Sequence, residues 1–267
     1  MATTQPLKIL ITGGGRGIGR GLARILASKG HTLYLLDSNK EELTHTTSTL
    51  SSQYPGRITS SLCDLRSPTD ITTVIENLKR QFAGHLDVLI NNAAYTGAVG
   101  GTGIADLSLE EWNRSLETNL TAPMLMVQAC LPLLRKSSLR EAGTVINISS
   151  TRAHQSEPNS ESYAATKAGL LGLSQALAVS LAPQGVTVNA LVLGWIHVGN
   201  ECKKGDELGV KWEDGLEERE HEWQLTGRVG NVDDVGRAVE YLVGAKGVTG
   251  SEIVVDGGVT RKMVYPE

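Results

Sequence analysis

Lys8-Ile9-Leu10-Ile11-Thr12-Gly13-Gly14-Gly15-Arg16-Gly17-Ile18-Gly19 is an apolar strand that runs straight into glycine and then into a helix read over 17–29. Glycines at such a junction permit a tight turn, let a pyrophosphate approach the backbone, and let the helix pack close against the strand. The helix start adds free N–H groups and a partial positive charge, which suit phosphate. Turns alone select glycine, so the pattern by itself is weak. Its place between a strand and a helix, at the head of the chain, strengthens it.

The next strand ends at Asp37, eighteen residues after Gly19. A carboxylate there accepts the two hydroxyls of an adenosine ribose and repels a 2′-phosphate. The plainer reading makes Asp37 a cap for the following helix, with Ser38 and Asn39 beside it. Arg16 argues the other way on the nucleotide, because its charge would neutralise a 2′-phosphate. Asp37 outweighs it, so NAD is favoured and NADP is the alternative.

Outward from this unit the same alternation continues. Residues 8–12, 32–37, 58–65, 86–91, 144–149, 186–193 and 253–256 read as strands, mostly unbroken apolar runs of the kind buried on both faces. Residues 17–29, 40–52, 68–82, 109–135, 161–181 and 232–243 read as helices, with Ser67 and Asn231 as caps. The pattern predicts an α/β doubly wound parallel sheet of about seven strands with helices on both faces. No linker, repeat or low-complexity tract divides residues 1–267, which read as one domain. Residues 199–224 break the rhythm and stand where a lid over a site would lie.

The 267 residues are 40% hydrophobic and 20% charged, with a net charge of −4, which excludes wholesale disorder and a basic nucleic-acid footprint. Thirty glycines and 4% aromatics suit many strand-to-helix turns rather than a β-sandwich. Cys63, Cys130 and Cys202 form no CxxC pair, so neither a disulfide framework nor a metal site is expected. The first residues show no signal pattern, Tyr265-Pro266-Glu267 matches no targeting tag, and no eighteen-residue apolar stretch occurs, 168–183 being the richest. A cytoplasmic protein without a membrane partner is expected.

Tyr163 and Lys167 lie four apart at the start of a helix, hence on one face. A tyrosine has an ordinary pKa of about 10 and needs a cation to act near neutrality. The strand before it, Gly143-Thr144-Val145-Ile146-Asn147-Ile148-Ser149-Ser150, ends in two serines at the sheet edge where ligands of such folds bind. Taken singly, the pair is a common coincidence and the serines are ordinary turn residues.

Taken together, these stretches resemble the single-domain short-chain dehydrogenase/reductases, with a Rossmann-type fold, over nearly the whole chain. The family's TGxxxGxG is Thr12 to Gly19, its adenine-contacting acid is Asp64 followed by Leu65, and its NNAG is Asn91-Asn92-Ala93-Ala94, with alanine at the last place. Asn119 in Thr118-Asn119-Leu120 matches the central-helix Asn, Ser150, Tyr163 and Lys167 match the catalytic trio, and Val255-Asp256-Gly257-Gly258 is family-like. The resemblance implies hydride transfer between nicotinamide and a carbonyl or secondary alcohol carbon. Tyr163 is the proton donor, Ser150 bonds the substrate oxygen, Lys167 lowers the tyrosine pKa and holds the ribose, and Asn119 holds a water leading from Lys167 to solvent. It assigns the cofactor to Gly13, Gly15, Arg16, Gly17, Ile18, Gly19, Asp37, Asp64, Leu65, Asn92, Ala93, Tyr163, Lys167, Gly194 and Ile196. It also implies a homotetramer, or a homodimer on the central and tetrad helices.

Two departures stand out in Leu193-Gly194-Trp195-Ile196-His197-Val198: leucine replaces the usual proline, and valine the threonine that binds the carboxamide. Weaker cofactor binding or a less ordered lid follows, with backbone near Ile196 still available.

Substrate candidates are Tyr95, Arg152, His154, Trp195 and the lid, with pairing to Glu157 or Glu161 the plainer role for Arg152 and a surface position the plainer one for His154. Residues 201–223 hold nine acids against four bases. Facing the cleft, they would disfavour polyanionic acyl carriers, and Trp212 and Trp223 would wall a small neutral or weakly basic ketone or alcohol. The plainer reading is a solvated face. Two other classes use such a fold: a non-catalytic dinucleotide-sensing regulator, which has no need of Tyr163 and Lys167, and an epimerase or dehydratase, which usually adds a substrate domain.

Overall fold

Successive side chains of β1 (Lys8–Thr12) bury on opposite sides, Ile9 and Ile11 in one core and Leu10 in the other. That is what an unbroken apolar run demands. β2 (Thr32–Asp37), β4 (Val88–Asn91), β5 (Thr144–Ser150) and β6 (Thr187–Leu193) repeat it. In the computed structural model, which describes residues 5–138 and 140–263, they join β3 (Ile58–Leu62) and β7 (Glu252–Val255) in one wholly parallel sheet. Its seven strands run β3-β2-β1-β4-β5-β6-β7. The terminal stretches 1–4 and 264–267, which carry much of the leader and tag readings, lie outside the described residues.

α1 (Gly17–Ser28), α2 (Lys40–Gln53) and α9 (Val232–Gly244) cover the Ile9–Ile11 face. α3 (Pro68–Gln81), α5 (Ala122–Leu134) and α6 (Glu161–Leu181) cover the other. Side chains start three of them: Asn39 accepts the Glu42 N–H, Ser67 the Asp70 N–H, and Asn231 the Asp234 N–H in a reciprocal capping box. The cap of α2 is therefore Asn39, not Asp37.

The helix expected over 109–135 runs from 109 to 134 and widens part-way along. α4 (Leu109–Leu116) passes into a π-helical turn, Glu117–Thr121, before α5. Pro123 has no N–H to give the Asn119 carbonyl, so one α-helical bond is missing beside the widened turn. β3 stops at Leu62, three residues short of expectation, because its partner β2 ends opposite it at Asp37. Residues 199–224 hold two short helices, α7 (Lys203–Leu208) and α8 (Glu218–Trp223).

By length and composition 161–184 is apolar enough to cross a membrane, with a mean hydropathy of 1.2, although the sequence reading excluded a span. In the fold its buried residues, among them Tyr163, Lys167, Leu170 and Ser174, belong to the helix that packs on β5 and β6.

Candidate active site

The strand order reverses between β1 and β4, and a cleft of about 1310 Å³ opens beyond their carboxyl ends. This is where open α/β sheets bind ligands. Gly13 lies with φ +65°, and a Cβ on it would stand 2.8 Å from Ala93 Cα. One on Gly19 would meet the Gly13 carbonyl oxygen at 2.0 Å. The turn is thus closed by absent side chains. Asn92 staples it to β4: its amide donates to the Thr12 and Gly13 carbonyls at 2.9 and 3.1 Å, while Thr12 Oγ1 accepts the Asn92 and Ala93 N–H groups.

Asp37 borders the cleft at the end of β2. Its Oδ2 accepts the Gly15 N–H at 2.9 Å and its Oδ1 the Asn39 N–H at 2.8 Å, fixing the carboxylate beside the glycine turn. Asp64 is gripped in bidentate fashion by Arg66, Nε to Oδ1 at 3.0 Å and Nη2 to Oδ2 at 2.7 Å, and this bond draws its pKa below the usual carboxylate range. Leu65 lies between them at the rim.

At the other end, β5 delivers Ser150 and α6 delivers Tyr163 and Lys167. Both side chains line the cleft, and the Ser150 hydroxyl favours the ionised form of the Tyr163 phenol. Lys167, 2% exposed, donates from Nζ to the Ile148 carbonyl at 2.7 Å and lies 5.4 Å from the centre of the Tyr163 ring. Burial drops its pKa to about 8. Burial raises that of the Tyr163 phenol, opposed by the Arg152 charge and the Ser150 hydroxyl.

The residues present fit a dinucleotide: the glycine turn leaves room where side chains would clash, Asp37 stands one strand away, and a lysine and a tyrosine close the far end. The model of a family described as Enoyl-(Acyl carrier protein) reductase matches residues 13–260. An uncharacterized oxidoreductase of Thermotoga maritima is 33% identical over 261 residues, covering 97% of each chain. The 3-oxoacyl-[acyl-carrier-protein] reductase FabG of Chlamydia trachomatis is 29% identical over 252 residues, 94% of this chain and 96% of its own. The solved apo SCOR enzyme from Clostridium thermocellum superposes with a TM-score of 0.81 at 30% identity, over 98% of this chain and 96% of that one.

The chain belongs to the short-chain dehydrogenase/reductase family. As such it is an NAD(P)-dependent oxidoreductase acting at a C=O or CH–OH carbon.

Within this short-chain dehydrogenase/reductase cleft the structure gathers Gly13, Arg16, Gly17, Ile18, Asp37, Asp64, Leu65, Asn92, Ala93, Ser150, Tyr163, Lys167 and Gly194. Gly15 and Gly19 shape the turn from behind. Ile196, 8% exposed, belongs to the core, and a bridge to Gly230 uses the flanking groups, His197 N–H to the Gly230 carbonyl and Gly230 N–H to the Trp195 carbonyl. It is not among the residues lining the cleft, and its own N–H and carbonyl take no part in that bridge. Asn119 is 1% exposed and turned inward: its Oδ1 accepts the Tyr95 N–H at 2.7 Å and its Nδ2 donates to the Tyr95 carbonyl and Thr166 Oγ1, both 3.2 Å. Pro123, four residues on, has no N–H to give its backbone carbonyl.

Arg152 lines the cleft but pairs with Glu157, its Nε at 2.8 Å. Tyr95 also lines it, with Arg114 stacked 4.5 Å from its ring centre. His154 is exposed and bonded to Glu252 at 2.8 Å. Trp212 packs edge-on against His221 and Trp223 lies under Lys262, so neither tryptophan walls the cleft, nor does Trp195. The sequence reading missed Arg66, Thr166 and above all Glu201, a buried acid inside a segment that reads as uniformly solvated.

Proposed function

We propose that the whole chain acts as one dinucleotide-binding and catalytic domain, with 199–224 as its lid, and interconverts a small neutral or weakly basic ketone and its secondary alcohol. The observation that carries this is the convergence of the Ser150 hydroxyl, the Tyr163 phenol and the buried Lys167 ammonium on the cleft floor beside Gly194.

Bound nicotinamide supplies or takes up the hydride. In the reductive direction Tyr163 gives its phenolic proton to the carbonyl oxygen as that oxygen gains charge, and Ser150 donates a hydrogen bond to the same atom. Arg152 and Ser150 favour the phenolate that results, against the burial that opposes it. Lys167, with its pKa near 8, is poised to return the proton to Tyr163, and the Asn119 carbonyl offers a place for the water behind it.

Gly13 and Ile18 would hold the pyrophosphate beside Gly17, whose own N–H the Glu201 carbonyl takes, Asp37 would hold the adenosine ribose, Asp64 and Leu65 the adenine, and Lys167 the nicotinamide ribose. Asp37, fixed by two backbone donors, supports NAD over NADP against the pull of Arg16. On the substrate side Arg152 is held in an ion pair with Glu157, which competes with a substrate anion and supports a neutral substrate over an acyl carrier. The exposed apolar outer face of α6, with Val179 77% exposed, supports a homotetramer or homodimer on α5 and α6. The unpaired Cys63 and Cys130 support a reducing, cytoplasmic setting.

Tyr163→Phe tests the assignment. With neutral ketones and NADH, kcat falls about 10²-fold or more while NADH affinity and fold persist. Near-normal turnover would reject it. A wild type that prefers NADPH would give the cofactor choice to Arg16, and a preference for carboxylated ketones that fades with salt would give the substrate to Arg152.

A further inference from the structure

Val198 stands where the family resemblance calls for a threonine, so the segment after β6 lacks one hydroxyl with which to hold a dinucleotide. A looser segment is the natural expectation. The structure has the opposite. The Glu201 carbonyl accepts the Gly17 N–H at 2.6 Å, joining this segment to the glycine turn. The Glu201 side chain, 4% exposed, accepts from Arg24 Nη2 at 2.5 Å and Nε at 3.2 Å, with Arg20 Nε 3.9 Å away.

The docking continues into α7. Arg20 reaches Asp206 at 2.5 Å, and His45 Nε2 lies 2.7 Å from the same carboxylate. The Lys203 N–H donates to Glu42 at 2.9 Å and its ammonium to Glu41 at 2.5 Å. Every one of these partners lies on α1 or α2, and Val198 itself stands 3.8 Å from where a Cβ on Gly17 would be. A buried carboxylate between two guanidiniums is costly to leave unpaired, so the ion pairs give Glu201 one position. Its carbonyl then transmits that position to the first residue of α1.

We infer that Glu201 is a positioning residue for dinucleotide binding: it docks residues 198–206 onto the glycine turn in advance, doing through protein contacts what the missing Val198 hydroxyl would do through the cofactor. The inference rests on the dinucleotide reading of the cleft. Glu201 takes no part in moving hydride or proton. Without its carboxylate, binding must first order the segment, and affinity falls by the fraction of molecules in which it is docked.

The test compares wild type with Glu201→Ala, titrating NADH by tryptophan fluorescence and following tryptic cleavage after Lys203 and Lys204 with and without NADH. In the wild type cleavage there is slow and NADH changes it little. In Glu201→Ala the NADH Kd rises about tenfold, cleavage becomes fast, and NADH suppresses it, while kcat at saturating NADH stays within about threefold. Val198→Thr added to that variant recovers part of the affinity. Equal NADH affinity and equal cleavage in wild type and Glu201→Ala overturn the inference. So does a wild type whose cleavage is already fast and suppressed by NADH. If Glu201→Ala does not fold, Arg24→Met, altered at a 43% exposed side chain outside the cleft, is read instead. It shifts both measures in the same direction, and no shift overturns the inference. A wild type that binds neither NADH nor NADPH rejects the dinucleotide reading itself, an outcome distinct from equal binding by wild type and variant.

Discussion

A Cβ on Gly19 would stand 2.0 Å from the Gly13 carbonyl at one end of the cleft, whereas at the other end a lysine 2% exposed holds its ammonium on the Ile148 carbonyl. The phosphate end is shaped by atoms that are missing, and its tolerances are those of backbone packed on backbone. The reactive end is shaped by side chains taken out of water, and its properties are those of desolvated charge. The first fixes position; the second fixes acidity. Substitutions therefore fail in different ways at the two ends, sterically at one and through proton equilibria at the other.

Gly19→Ala puts the largest strain on that contrast. The added methyl must displace the Gly13 carbonyl, so dinucleotide affinity falls about 10²-fold or more and stability drops by about 3 kcal/mol, read by fluorescence titration and urea unfolding. Normal binding by this variant would show that the turn has slack that the geometry denies.

Lys167→Met probes the other end through pH. With the folded-state pKa near 8 and the unfolded value near 10.5, the unfolded chain binds the extra proton between these limits, so wild-type stability rises with pH across that window. Below pH 8 both states hold the proton and the buried charge opposes folding in full. The gain across the window is about 3 kcal/mol and is absent from Lys167→Met, so the difference in urea midpoint between the two proteins changes from pH 7.5 to 10. Parallel midpoints would remove desolvation as the force acting on this lysine.

Arg152→Gln is the smallest effect and the sharpest. The Arg152 charge favours the Tyr163 phenolate, so its loss moves the lower limb of the alcohol-oxidation pH profile to higher pH, with the NADH Kd unchanged. A fall in NADH affinity without a pH shift would transfer Arg152 from the reactive end to the cofactor.

The same contrast decides what could be read from the sequence. Glycine spacing is local, so Thr12 to Gly19 was legible, and so was Asp37 one strand on. The alternation of apolar runs gave the sheet and its two helical layers. Ser150, Tyr163 and Lys167 were legible by spacing, but not their environment, because burial is contributed by the rest of the chain. The widened turn at Glu117–Thr121 has its local signal in Pro123, but the apolar pattern runs through it unchanged. Glu201 was beyond reach: it sits among acids that resemble a solvated face, and its partner Arg24 is 177 residues away. Trp212 and Trp223 failed as cleft walls for the same reason, since composition identifies a segment's chemistry and not the side it turns inward.

The three thiols meet an electrophile on unequal terms. Burial pushes Cys63 up to about 12 and Cys130 higher still, so neither holds a thiolate at neutral pH. Cys202 is partly exposed at the cleft edge, where its sulfur receives the Gly205 N–H at 3.2 Å and starts α7. Among the three thiols, alkylators thus have one accessible address, Cys202. An adduct there lands next to Glu201, so chemical injury reaches the nucleotide cleft through its hinge and leaves the core intact.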